Sequence, residues 1–141
     1  MKILFICAGN VARSQIAEAI FNNLFKGKGV AISAGTKVVK ENSNREGQKL
    51  KDKDMNIVEV MKEIGIDVSN CARKQVTPEI FNGVDKVIVI NPSENIPEYV
   101  KQSSKVTFWE IPDPFNQNLD FARTVRNQLE ISVSNLISAI P

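Results

Sequence analysis

The chain has 141 residues and a mass of 15.7 kDa, with 43% hydrophobic and 24% charged residues, the composition of a globular protein with a real core, so residues 1–141 are expected to form one domain. Its 18 basic and 16 acidic residues are scattered and leave a net charge of +2; with no basic run or aromatic-interleaved patch, nucleic acid is not an expected partner. Histidine is absent altogether, which excludes Ser-His-Asp and Cys-His nucleophile activation, a phosphohistidine relay and histidine-ligated metal.

KILFIC (2–7) is a short apolar, β-leaning run of the kind buried on both faces of a sheet. From Ser14, the apolar residues Ile16, Ala17, Ile20, Phe21 and Leu24 recur at helical spacing, and Gly27 and Gly29 close the segment. VAIS (30–33) is a second strand. Residues 37–54 are charged and poor in apolar side chains, and are expected to form a long surface loop or a loosely held helical turn. Ile57, Val60, Met61 and Ile64 mark a helix ending at Gly65, and ThrProGlu (77–79) a capped helix start. DKVIVIN (85–91) and KVTFWEI (105–111) are a third and fourth buried strand, and Ala122, Val125, Leu129, Val133, Leu136 and Ile140 define a final helix.

Strands alternating with helices predict an α/β fold: a small doubly wound sandwich with a four-stranded parallel sheet and helices on both faces. Ligands bind such sheets beyond the carboxyl ends of the strands. Cys7 lies at that end of the first strand, which is expected to be central. No apolar stretch approaches the about 20 residues needed to cross a bilayer, so no membrane is expected as a partner. The apolar run at the amino terminus is too short and too soon interrupted for a secretory signal. With only Cys7 and Cys71 as thiols, a reducing, cytoplasmic setting is expected.

Between Cys7 and Arg13 lies AlaGlyAsnValAla, short enough to wrap a loop around an anion, with Gly9 and Asn10 tolerant of positive φ. The helix that begins next adds its unpaired N–H groups and dipole, and Arg13 a planar fork for two oxygens. Helix amino termini and neighbouring cations favour a thiolate, and the Ser14 hydroxyl can donate to the sulfur. A thiolate facing a bound phosphoryl group is set for in-line attack without a metal. Its leaving group departs better if protonated, and Asp113, fixed between Pro112 and Pro114 on the same rim, is the candidate acid.

CAGNVARS (7–14) and IPDPF (111–115) together resemble the low-molecular-weight protein tyrosine phosphatases, with smaller matches at 16–19, 33–35, 65–67 and 75–77. The resemblance implies a phosphocysteine on Cys7, with Asp113 first acid and then base, and no cofactor or metal. The backbone amides of Ala8, Gly9, Asn10, Val11, Ala12 and Arg13 would hold the phosphoryl oxygens, the Arg13 side chain with them. Asn10, Ser14 and Ser33 would keep the loop in shape. The substrate would be a phosphorylated protein or a small aryl phosphate. Oligomeric state stays open, with a monomer favoured.

Departures from the family pattern are informative. Ala12 stands where many members have a second loop cysteine. Cys71 falls where some relatives have a supporting histidine, which implies a less firmly held loop, because cysteine is a weak hydrogen-bonder. It is expected to be a buried inert thiol, with pairing to an oxidised Cys7 as the alternative. Residues 26–80 contain no aromatic residue, leaving Phe115 to pack a substrate ring and Trp109 to the core. Thioredoxin-coupled arsenate reductases of this fold relay a disulfide through further cysteines, usually after the third strand, and residues 90–99 have none. A reductase using a small external thiol stays open, as does a phosphoarginine phosphatase, a preference that goes with threonine at the position of Val11. A phosphate-binding module without turnover is the non-enzymatic alternative.

Overall fold

Alternation of side chains along two strands organises the molecule. In the computed structural model, which describes residues 1–27, 29–90 and 96–141, β1 (Lys2–Cys7) lies between β2 (Val30–Gly35) and β5 (Lys86–Ile90), with β6 (Val106–Trp109) beyond β5. All neighbouring strands are parallel. Ile3, Phe5 and Cys7 of β1 join Ile88 and Ile90 of β5 in one core. The intervening Leu4 and Ile6 join Val87 and Val89 in a second core on the opposite face. Both strands therefore read as unbroken apolar runs.

The first core is roofed by α1 (Arg13–Leu24), α2 (Met55–Lys62) and α5 (Leu119–Ala139). The second is covered by α3 (Pro78–Asn82) and α4 (Glu98–Lys101). This is the doubly wound, four-stranded sandwich with helices on both faces that the sequence predicts. Burying a side chain such as Leu4, fully shielded here, stabilises the fold by about 1.5–3 kcal/mol. Thr77 caps α3 by accepting from the Ile80 amide at 3.2 Å, with Pro78 at its first turn. Gly65 follows α2 with φ 81.

Three expectations need correction. The fourth strand is an edge: β6 is half-exposed, with Phe108 open to solvent, because among the described residues it pairs with β5 alone. Trp109 still packs inward, its ring 5.8 Å from Phe5. Residues 37–54 lie largely at the surface, as expected, but are more regular than a loop. They contain an antiparallel hairpin, β3 (Val39–Lys40) with β4 (Ser43–Asn44), and a 3₁₀ turn at Leu50–Asp52; Val38 and Leu50 are fully buried anchors. The second strand extends to Gly35, past the expected end at Ser33. Asn91, the last residue expected in the third strand, lies outside the described residues.

Outside the site, α2 is tied to α5 by Glu63. Its carboxylate accepts from Arg123 Nε at 2.9 Å and from Arg126 Nη1 at 2.6 Å, while Arg126 Nη1 also donates to the Val60 carbonyl. Hydrogen bonds from Arg123 and then Arg126 pull the Glu63 carboxyl from its ordinary 4.5 down to about 2. A depressed carboxyl stabilises the fold above its unfolded value and loses that contribution as pH falls through the folded value. Glu63→Gln should therefore lower Tm at neutral pH. The gap to wild type should close as pH falls from 4.5 to about 2, followed by circular dichroism.

Candidate active site

The segment after β1 turns into α1 through residues 8–12, and its hydrogen bonds fix which way it faces. The carbonyls of Cys7 and Ala8 accept from the amides of Thr36 and Lys37 at 3.0 and 2.9 Å. The Gly9 carbonyl accepts from Arg73 Nε at 2.9 Å, and that of Asn10 from Gln15 Nε2 at 3.4 Å. Every carbonyl from 7 to 10 is thus engaged away from the pocket. Among the described residues, the N–H groups of residues 8–12 have no protein acceptor. Such a row of unpaired donors at a helix amino terminus is an anion nest. Asn10 takes φ 53 to close it; Gly9, expected to share that conformation, does not.

Behind the nest runs a buried polar network. Asn10 Nδ2 donates to Ser14 Oγ at 2.9 Å and to Ser33 Oγ at 3.0 Å. Ser14 Oγ lies 2.9 Å from Cys7 Sγ; as its oxygen already accepts from Asn10, its proton is available to the sulfur. Asn10 Oδ1 accepts from the Lys74 amide at 2.8 Å and from Gln15 Nε2 at 3.1 Å. Asn10, Ser14 and Ser33 are all fully buried, so each bond is made where losing it leaves an unsatisfied group, at about 1–3 kcal/mol.

Arg13 is 7% exposed. One arm donates to the Ile111 carbonyl at 3.2 Å and the other pairs with Asp113 at 3.5 Å. The nucleophile loop and the segment after β6 are therefore joined at one guanidinium. Asp113 is exposed, and its other oxygen accepts from the Phe115 amide at 3.0 Å. A cavity of about 280 Å³ is lined by Cys7, Ala8, Gly9, Val11, Ala12, Arg13, Asp113 and Phe115 together with side chains of the 37–54 segment. Asn10 is fully buried, and its side chain faces the network behind the loop. Phe115 is exposed at the mouth, with Lys53 Nζ 5.3 Å from its ring centroid.

Sequence reasoning missed much of the scaffold. Arg73 is buried and braces the loop at Gly9 while donating to Gln48 Oε1 at 2.7 Å. The looseness expected from cysteine at position 71 is answered by its neighbours: Arg73, the Lys74 amide and the Ala72 carbonyl, which accepts from Gln15 at 3.0 Å. Cys71 itself is a free, half-buried thiol, and burial, followed by the Glu18 carboxylate, pushes it up from its ordinary value. Gly35 is a second omission. A side chain there would meet the Ala8 carbonyl at 2.5 Å and the Asn10 nitrogen at 2.9 Å. In the sequence only the polar run of Arg73, Lys74 and Gln75, at no helical or strand spacing, marks the brace.

Among the described residues no group of three or more Cys, Asp or Glu side chains is placed to hold a metal ion. No described helix is long and apolar enough to cross a membrane.

The sheet is doubly wound, and the Cys-x5-Arg loop stands at the carboxyl end of its first strand, over the cavity. Residues 2–141 match the family model of low molecular weight phosphotyrosine protein phosphatases, and the chain belongs to that family. It is 32% identical over 143 residues to a glutaredoxin arsenate reductase of Synechocystis sp., spanning 99% of this chain and 98% of the relative. The low molecular weight protein tyrosine phosphatase of T. tengcongensis superposes with a TM-score of 0.81 at 26% identity, over 99% of each chain. An arginine phosphatase from Geobacillus stearothermophilus gives 0.79 at 25% identity, over 97% of this chain and 90% of the other.

Proposed function

We propose that the protein is a cysteine-dependent phosphatase that hydrolyses phosphotyrosine, in a protein or as a small aryl phosphate, through a phosphocysteine on Cys7. The observation that carries this reading is the convergence of Cys7, the loop with its unpartnered N–H groups, and Arg13 with Asp113 on one cavity. Cys7 Sγ attacks phosphorus, the S–P bond forms and the P–O bond to the aryl group breaks. Asp113 gives its proton to the departing oxygen. The loop amides and Arg13 hold the three non-bridging oxygens, where charge is redistributed in the transition state. Water then attacks the phosphocysteine as Asp113 takes its proton, releasing phosphate and the thiolate. Asn10, Ser14 and Ser33 hold the loop, and Phe115 packs the aryl ring. No step draws on a metal or a cofactor. Residues 1–141 act as one cytoplasmic domain, as a monomer, with no nucleic acid or membrane partner.

A second reading has its own support in the likeness to an arsenate reductase. Cys7 would displace water from arsenate to form a thioarsenate ester. An external thiol would then attack its sulfur, giving a mixed disulfide and arsenite, and a second thiol would restore Cys7. Cys71, held as the thiol, and the absence of cysteine from residues 90–99 favour the phosphatase over an internal relay; residues 91–95 of that stretch lie outside the described residues.

The test is a time course with p-nitrophenyl phosphate, a phosphotyrosyl peptide and free phosphoarginine without added thiol, beside arsenate with an added small thiol. Turnover of the aryl substrates, with a nitrophenolate burst, is expected. Arsenite formation without aryl phosphate turnover would overturn the reading. Val11 lines the cavity and lacks the hydroxyl that goes with phosphoarginine preference. One net hydrogen bond is worth about 0.5–1.5 kcal/mol, so Val11→Thr should raise the phosphoarginine-to-phosphotyrosine ratio of kcat/KM about three- to tenfold. An unchanged ratio removes Val11 from the specificity argument.

A further inference from the structure

The mouth of the cavity holds more positive charge than a phosphoryl group uses. Arg13 and Arg73 serve the loop itself. Arg73 lies within the electrostatic reach of both the Cys7 sulfur and the Arg45 guanidinium. Four more cations line the same cavity: Lys37, Lys40, Arg45 and Lys53. Among the described residues none of these four forms an ion pair. The two lining carboxylates are engaged elsewhere, Asp113 with Arg13, and Asp54 as the amino-terminal cap of α2. A chain with a net charge of only +2 has gathered unpaired cations at one opening, and composition does not explain that.

The scaffold under these cations is built, not loose. The Lys37 amide donates to Ala8 of the anion loop at 2.9 Å. Val38 is a fully buried anchor, and the amides of Val38 and Val39 both donate to Gln75 Oε1, at 2.9 and 2.8 Å. The Arg45 amide returns to the Val38 carbonyl at 3.1 Å, and its Nε donates to Ser43 Oγ at 3.3 Å. The hairpin thus holds Lys40 and Arg45 in fixed relation to the phosphoryl site. Like charges held together in this way repel, and an anion laid between them relieves that repulsion.

We propose, resting on the phosphatase reading above, that the site selects substrates with a second anionic group beside the phosphoryl group: peptide segments with carboxylate side chains flanking the phosphorylated residue. Lys37, Lys40, Arg45 and Lys53 form the subsite that receives those carboxylates. Lys53, over the ring of Phe115, joins this subsite to the place where the aryl group packs.

Three phosphotyrosyl peptides of equal length, flanked by glutamate, glutamine or lysine, test this against p-nitrophenyl phosphate. Electrostatic focusing in a cleft raises on-rates by about 10–10³, so kcat/KM for the acidic peptide should exceed that for the neutral one about tenfold, with the lysine peptide poorest. Near 1 M salt, where the screening length shrinks to about 3 Å, the three values should converge. In Lys40→Gln/Arg45→Gln the acidic-to-neutral ratio should fall to about twofold, the scale of a residual exposed charge pair. Equal kcat/KM for all three peptides, with p-nitrophenyl phosphate turned over, overturns this inference alone. So does an acidic preference that neither salt nor the double substitution reduces. If p-nitrophenyl phosphate and all peptides are inert, the phosphatase reading falls and takes the inference with it.

Discussion

Cys7→Ser is expected to abolish turnover while leaving the oxyanion site intact. Serine has nearly the shape of cysteine and keeps the contact that Ser14 Oγ makes at 2.9 Å. Its hydroxyl, however, is a nucleophile only when a base removes its proton. No histidine exists in the chain to do so, and Asp113 on the proposed mechanism must deliver a proton in the first step. Loss of a covalent nucleophile costs on the order of 10⁴–10⁶ in kcat, so hydrolysis of p-nitrophenyl phosphate should fall to background. Calorimetric titration with inorganic phosphate should still show binding, because the loop amides and Arg13 are unchanged. Residual turnover within about tenfold of wild type would remove Cys7 from the role of nucleophile.

Gly35→Ala should be the most damaging substitution of a residue that does no chemistry. Its backbone is ordinary strand; the constraint is space. A Cβ would lie 2.5 Å from the Ala8 carbonyl, 2.8 Å from Val38 Cγ2 and 2.9 Å from the Asn10 nitrogen. Retreat is blocked from the other side, where the Gly35 amide donates to Lys74 and its carbonyl accepts from Val76, at 2.8 and 2.9 Å. The anion loop must therefore move. Overpacking of this kind costs about 1–3 kcal/mol of stability, and a displacement near 1 Å at a reacting site costs about 10²-fold in rate. Thermal melts and kcat/KM measured together check both losses. Gly27→Ala is the control: φ there is 80 with nothing within 4 Å, so it should lower stability and leave kcat/KM alone. Wild-type kinetics in Gly35→Ala would mean that β2 does not set the loop's position.

Much of this was legible in residue order, for identifiable reasons. β1 and β5 bury both faces and so read as continuous apolar runs; α5 shows its buried face through Ala122, Val125, Leu129 and Val133 at steps of three and four. Cys7, Asn10, Arg13 and Ser14 sit within one turn of the chain, so their spacing is visible. Asp113 is remote, but two prolines mark it. The supporting cast is legible only in three dimensions. Arg73 donates both to Gly9 and to Gln48 across long chain separations, and no local period announces such pairs. The hairpin of residues 39–44 is mostly polar and exposed, with only Lys40 lining the cavity, and a polar run has the same appearance whatever it meets. Its single buried anchor, Val38, is too little for a pattern. α4 spans four residues, too short for helical spacing to show.

The pairing of Arg13 with Asp113 has a consequence for the order of events. In the resting protein the guanidinium that would grip two phosphoryl oxygens already faces a carboxylate, at 3.5 Å. On the proposed mechanism the incoming phosphoryl group competes with that internal tenant. Arrival of substrate then does two things at once: it fills the cradle and it evicts Asp113 toward the bridging oxygen. Inorganic phosphate presents its fourth oxygen at the same place, the oxygen that water supplies in the second step, so Asp113 faces ester and product alike. On that mechanism Asp113 is a built-in rival of every oxyanion that enters the cradle, and a ligand is held only if it grips Arg13 better than the protein's own carboxylate does.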